Sequence, residues 1–187
     1  MSTELAPIKK PEDILFLGDI EVDHIIPHVH KISEEQWDAE SKWRENDYNV
    51  FTQTQHIVFI FGEGKDHHEF NVKPMWRIWG QIFQPIIDKV TEPYAYGQGV
   101  LVKAMLAKLK SKGTIGKHVD YVIRDKYVHK IHIPLITNPD AIMQIGDKDF
   151  HLEKGKAYEV NNMVKHGVTN QGDEDRVHFI FEYYNKE

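Results

Sequence analysis

The spacing of hydrophobic residues changes character near residue 99. In the first part of the chain it is mixed. ILFLGDIEV (residues 14–22) and QHIVFIF (residues 55–61) are dense in aliphatic and aromatic residues and predict strands, the second ended by Gly62 and Gly64. Ser33 followed three residues later by Gln36 is a helix-start signature and predicts a helix running to about Asn46. Met75, Ile78, Trp79, Ile82, Phe83, Ile86, Ile87 and Val90 recur at helical spacing, a stripe that reads as core packing. Pro85 lies inside that stripe and is expected to kink or split the helix. From Gly99 onward short apolar or alternating segments take over: VLVKAMLAKL, YVHKIHIPLI, AIMQIG, DFHLEKGKAYEV, VKHGVT and RVHFIFEYY. Turn signals separate them at Lys112-Gly113, Asn138-Pro139-Asp140, Gly146-Asp147, Lys154-Gly155 and Asn170-Gln171-Gly172-Asp173. Many short strands with such punctuation predict a sandwich or barrel. DKDFHLEKGKAYEV is expected to form a hairpin turning near residues 153–155.

The expected architecture is therefore mainly β with supporting helices, a jelly roll backed by helices. One domain is expected over residues 1–187, with a mixed α/β part at 1–98 supporting a β-rich core at 99–187. There is no internal repeat and no low-complexity linker.

Composition narrows the chemistry. The chain has 187 residues and no cysteine, which removes disulfides, thiolate metal sites and cysteine nucleophiles together. That fits a reducing cytoplasm, the expected location. The opening MSTELAPIKKPED has no apolar signal core, so secretion is not expected, and no run has the length of a membrane span. A net charge of −6 argues against non-specific nucleic-acid binding. Twelve histidines is a high number, and most are expected to be structural or at the surface.

Four residues stand apart. His118-Val119-Asp120 places two side chains on one face of an extended strand, with Val119 facing away. His166 follows on a separate strand-like segment, beside Gly167, whose missing side chain would relieve crowding near a metal. Two imidazoles and a carboxylate can bind one face of an octahedral iron(II) and leave the opposite face open. Arg176, on the last strong strand, can hold a dicarboxylate through paired hydrogen bonds. Each has a plainer reading. His118 and Asp120 can be a surface pair near a turn, His166 a structural histidine, and Arg176 a salt-bridge partner of Asp173, Glu174 or Asp175.

The stretch GTIGKHVDYVIRDKYVHKIHIPLITNP followed by LEKGKAYEVNNMVKHGVTNQGDEDRVHFIFEYY resembles the aspartyl/asparaginyl β-hydroxylase branch of the 2-oxoglutarate- and iron(II)-dependent oxygenases, which includes proline-hydroxylase-like enzymes. The resemblance covers roughly residues 99–184 and implies a double-stranded β-helix, the cupin-like form of the jelly roll. It implies that His118, Asp120 and His166 bind Fe(II). It implies that Arg176 pairs with the distal carboxylate of 2-oxoglutarate, while Lys130 and His132 help hold the other end. The implied reaction consumes O2 and 2-oxoglutarate, releases succinate and CO2, and places a hydroxyl on an amino-acid side chain, free or within a peptide. Two positions depart from the family pattern. Lys130 stands where an arginine is usual, turning a forked contact into a point charge, and Asn161 stands where relatives often carry aspartate. Asp120 completes the triad.

The remaining candidates are weaker. His28 and His30 form an HxH pair with no third ligand nearby; His67-His68 reads as solvated surface; Gly62-x-Gly64 lacks the lysine and hydroxyl of a phosphate loop. Trp76, Trp79 and the tyrosines at 94–96 are expected to line the substrate pocket. Residues 121–127, with Arg124, Asp125 and Lys126, are expected to form a substrate-facing loop. Two rival functions use the same fold: a cupin-like protein that binds metal or a small ligand without oxygenase activity, and a nucleic-acid demethylase, against which the acidic balance weighs.

Overall fold

The computed structural model describes residues 7–42, 51–63, 69–120 and 123–186. In chain order the elements are β1 (Ile14–Asp19), α1 (Ile26–His30), α2 (Glu34–Ser41), β2 (Thr54–Glu63), β3 (Glu69–Val72), α3 (Trp76–Thr91) and β4 (Gly99–Leu109). There follow β5 (Thr114–His118), β6 (His129–Ile136), β7 (Ala141–Ile145), β8 (Lys148–His151), β9 (Lys156–Val160), β10 (His166–Asn170) and β11 (Arg176–Asn185). The strands form a seven-stranded sheet in the order β1-β9-β6-β11-β4-β2-β3 and a four-stranded sheet in the order β5-β10-β7-β8. Every neighbouring pair is antiparallel. This is the expected helix-backed jelly roll. Strands β1, β2 and β3 complete the larger sheet, so residues before 99 supply part of the same β framework.

The apolar stripe on α3 explains the helical layer. Trp79, Phe83, Ile86, Ile87 and Val90 are buried with Phe59, Leu106, Ile131 and Phe179 from the larger sheet. The Phe83 and Phe179 rings stack 3.8 Å apart. Pro85 does not split the helix, contrary to one expectation. It lies on the exposed side, between residues whose packing holds the turns on either side of it. A second core, with Leu109, Met143, Ile145, Tyr158, Val160 and Val168, fills the space between the sheets.

Local signals fared unevenly. Ser33 caps α2, receiving the Gln36 N–H while the Gln36 side chain accepts the Ser33 N–H. α2 ends at Ser41 with Lys42 as its C-cap, short of the expected Asn46, and residues 43–46 lie outside the described residues. β2 runs through Gly62 to Glu63 instead of ending there. The hairpin expected at residues 153–155 is corrected. β8 pairs with β7 in the smaller sheet, whereas β9 pairs with β1 and β6 in the larger one. The tight turn is Gly146-Asp147, where Gly146 adopts φ +58, a left-handed conformation glycine takes without a Cβ clash. The segment around Gly155 instead carries the chain from one sheet to the other. No helix among the described residues is long and apolar enough to cross a membrane.

Candidate metal centre and co-substrate pocket

A cavity of about 120 Å³ opens between the sheets. Cavities of about 150 Å³ take benzene, so this space is on the scale of a small organic molecule. The larger sheet contributes Lys103, Lys130, His132, Arg176 and Ile180, and the smaller sheet contributes Ile115, His118, His166 and Val168. Asp120 also reaches it.

His118 is the last residue of β5, and His166 is the first of β10, directly opposite it in the register. The two rings lie 4.5 Å apart. Asp120 is not on the strand, which corrects the expectation that both members of the HxD pair share a strand face. It lies just beyond β5, its N–H donating to the Asn162 carbonyl at 3.3 Å. That loop brings its carboxylate to the imidazoles: Asp120 Oδ1 is 3.6 Å from His118 Nε2 and 3.9 Å from His166 Nε2. One ligand atom from each of the three residues lies within 4.8 Å of the others, and among the described residues no other such group occurs.

The tautomers follow from hydrogen bonding. His118 Nδ1 bonds the Gly116 carbonyl at 2.8 Å, and His166 Nδ1 bonds the Val164 carbonyl at 2.9 Å. A carbonyl only accepts, so both Nδ1 atoms carry the proton and both Nε2 lone pairs point to the shared centre. Burial, reinforced by the Lys130 charge, lowers the pKa of His166 from 6.5 to about 4, keeping it neutral. Burial pushes the Asp120 carboxyl up, but the Lys130 ammonium outweighs it and holds the carboxyl well below its ordinary range. Two imidazoles and one carboxylate are a donor set suited to a divalent transition metal.

Gly167 does not relieve crowding at the metal. A Cβ there would lie 2.8 Å from the Ile115 carbonyl and 3.2 Å from the Lys117 backbone. The missing side chain lets β5 approach β10, which is what brings the histidines together.

Arg176 is buried at 4% exposure, which removes the surface salt-bridge reading. Its Nη2 bonds His178 Nδ1 at 2.8 Å, and no carboxylate pairs with it among the described residues. Burial alone lowers its pKa from 12.5 to about 9. His132 stands nearby on β6, edge-on to His178 with ring centroids 5.8 Å apart. Neither ring nitrogen of His132 has a hydrogen-bond partner, nor does Nε2 of His178. Burial, aided by the neighbouring cations, keeps both imidazoles neutral. The cavity wall thus carries an uncompensated guanidinium and an imidazole with unused hydrogen-bonding capacity, which matches an anion bearing several oxygens. Lys130 Nζ contacts Asp120 Oδ2.

Several expected pocket residues lie elsewhere. Trp76 and Trp79 pack on Phe59 in the helical core, and Tyr94 and Tyr96 bond Glu159 and His129. Residues 121 and 122 lie outside the described residues, and Asp125 is buried away from the cavity lining. His67-His68 also lies outside the described residues. In their place Phe51, Thr54, His56 and Val58 line the pocket, and Phe51 meets His118 edge-on at 5.3 Å. Lysines inside the apolar run VLVKAMLAKL were the available signal for the β4 wall, since a lysine on a buried strand needs a partner. Asn161 clasps the N-terminal segment. Its Nδ2 donates to the Pro11 and Glu12 carbonyls, and its N–H donates to the Asp13 carbonyl. An aspartate there could not make the side-chain bonds.

Three comparisons bear on identity. No curated protein sequence matches the chain. Among solved structures, an oxidoreductase of the 2OG-Fe(II) oxygenase family from Burkholderia pseudomallei is 10% identical with a TM-score of 0.63, covering 99% of this chain and 96% of that one. HygX from Streptomyces hygroscopicus, solved with nickel, 2-oxoglutarate and hygromycin B, is 11% identical with a TM-score of 0.56, covering 92% and 83%. A viral collagen prolyl hydroxylase from Paramecium Bursaria Chlorella virus-1, in its 2OG complex, is 7% identical with a TM-score of 0.52, covering 93% and 96%. At such identities the likeness is one of fold. The family model for aspartyl/asparaginyl beta-hydroxylase matches residues 86–186, more than half of the chain and all of the strands that carry the triad and Arg176. The chain therefore belongs to the aspartyl/asparaginyl β-hydroxylase family, a branch of the 2-oxoglutarate- and iron(II)-dependent oxygenases.

Proposed function

We propose that this enzyme hydroxylates an amino-acid side chain, free or within a peptide, with release of succinate and CO2. His118, Asp120 and His166 hold the iron(II). Arg176 meets the distal carboxylate of 2-oxoglutarate, and His132 offers a ring N–H to the same molecule. The iron, when bound, supplies activation of O2 and oxidative decarboxylation of the co-substrate. The protein's own part is to fix the three donors, to present a guanidinium where a carboxylate must arrive, and to flank the bound co-substrate with apolar side chains such as Val160, Val168 and Ile180. The observation that carries this reading is the convergence of two fixed Nε2 lone pairs and one carboxylate oxygen on a cavity whose wall holds a buried, uncompensated guanidinium.

In the same reading the chain is a single domain. Residues 99–187 form the catalytic core, braced by residues 1–98, and the enzyme works in the cytoplasm. Support comes from the strands that β1, β2 and β3 add to the core sheet, and from the absence of cysteine.

Thermal stability of the metal-free protein with manganese(II), with and without 2-oxoglutarate and without oxygen, tests the reading. A ligand at about a hundredfold its Kd adds roughly 2.7 kcal/mol. A stabilisation by 2-oxoglutarate that requires the metal and is lost in Arg176→Ala supports it, and screening of amino acids and peptides by succinate release follows. A response to metal that ignores 2-oxoglutarate refutes it in favour of a cupin-like binding protein.

A further inference from the structure

Three charged side chains on adjacent strands stand in one row across the larger sheet. Glu182 on β11 is the register partner of Lys103 on β4 and of Lys130 on β6. The Glu182 carboxylate lies 3.6 Å from Lys103 Nζ, and both side chains are nearly inaccessible. Lys130, itself 12% exposed, extends the row to Asp120 Oδ2. Charge therefore alternates along the row, from Lys103 through Glu182 and Lys130 to Asp120. Buried charges stabilise one another because water is not there to do it. The direct contacts are Glu182 with Lys103 and Lys130 with Asp120, and Glu182 acts on Lys130 through its charge from the paired strand position.

The row acts on one oxygen of Asp120. Lys130 takes Oδ2, while Oδ1 faces the Nε2 atoms of His118 and His166. An aspartate can bind a metal through one oxygen or through both. With two imidazoles, a one-oxygen aspartate leaves three positions of an octahedral metal open, and a two-oxygen aspartate leaves two.

Resting on the metal centre proposed above, we infer that Lys130, set opposite Glu182 on the neighbouring strand, is a positioning residue that restricts Asp120 to one metal-bound oxygen. The lysine thereby keeps open the place that a chelating co-substrate and oxygen need together. This differs from the direct co-substrate contact that the family resemblance implies for Lys130.

Water-proton relaxation of the manganese(II)-loaded protein tests it, because the enhancement scales with the number of water molecules on the metal. Lys130→Met should lower the relaxivity by about one third, as three open positions become two, and should weaken 2-oxoglutarate binding at saturating metal. Glu182→Gln keeps the buried shape and should lower relaxivity in the same direction by less. It decides the matter alone if Lys130→Met does not fold. Wild-type relaxivity in the variants that fold, with 2-oxoglutarate affinity lost in Lys130→Met, overturns the positioning role and returns Lys130 to the co-substrate. Wild-type protein that binds no manganese(II) overturns the metal centre and this role with it.

Discussion

Replacing Arg176 with methionine should stabilise the metal-free protein while abolishing its response to 2-oxoglutarate. The guanidinium is buried without a carboxylate, and burial alone brings its pKa from 12.5 to about 9. At about 1.36 kcal/mol per pH unit, the fold disfavours the charged form by roughly 5 kcal/mol. Two effects reduce the gain. The substitution removes the donor to His178 Nδ1, which accepts from Arg176 Nη2 at 2.8 Å, and an unpaired buried acceptor costs about 1–3 kcal/mol. The adjoining cavity admits water, which solvates part of the charge. A net stabilisation of about 2 kcal/mol remains, or roughly 4–8 °C in Tm for a chain of this size. The folded-state pKa lies below the unfolded one, so wild-type stability rises as the pH climbs past about 9, and the variant's advantage shrinks there. Urea denaturation of chelator-treated wild type and variant measures the first effect. Repeating it with manganese(II) and 2-oxoglutarate measures the second. A variant less stable than wild type by more than about 1 kcal/mol, yet still stabilised by 2-oxoglutarate, would refute the claim that this guanidinium awaits an anionic ligand.

Other consequences follow from the same geometry. His166 is neutral when folded because burial lowers its pKa from 6.5 to about 4, so metal-free protein should lose roughly 3 kcal/mol as the pH falls through that interval. His132 and His178, whose pKa values burial also lowers, add to the loss, and a flat stability profile between pH 7 and pH 4.5 would contradict this. Gly167→Ala would place a Cβ 2.8 Å from the Ile115 carbonyl, forcing β5 from β10. We expect a cost of about 1–3 kcal/mol and weaker manganese(II) binding, and wild-type affinity by calorimetry would count against it. Asn161→Asp removes the donors to Pro11 and Glu12, which should cost about 1–3 kcal/mol and speed proteolysis before Ile14. An unchanged cleavage rate would show that the clasp is idle.

The sequence by itself determined the layers and the chemical inventory. Period is a local property: the stripe from Met75 to Val90 could bury its apolar side only as a helix, and the punctuated segments after Gly99 could pair only as short strands. The resemblance assigned His118, Asp120, His166 and Arg176 to one site, and the fold brings all four to one cavity. Tertiary structure decided what depends on which strands meet. The segment around residues 148–160 carries the alternation and glycine of a hairpin, but its two strands found different sheets: β8 turns back on its neighbour β7, whereas β9 pairs with β6 and with β1, far away in sequence. The tryptophans of α3 were assigned to the pocket, but the helix lies on the outer face of the larger sheet, which local pattern cannot reveal. The motif assigns Lys130 to the co-substrate, because place in the motif is all that sequence records. Its contact with Asp120, and its alignment with Glu182 and Lys103, exist only through the register of β4, β11 and β6. Register is set by long-range pairing, so it fixed which charge neutralises which, while the residue types and their order were already written in the chain.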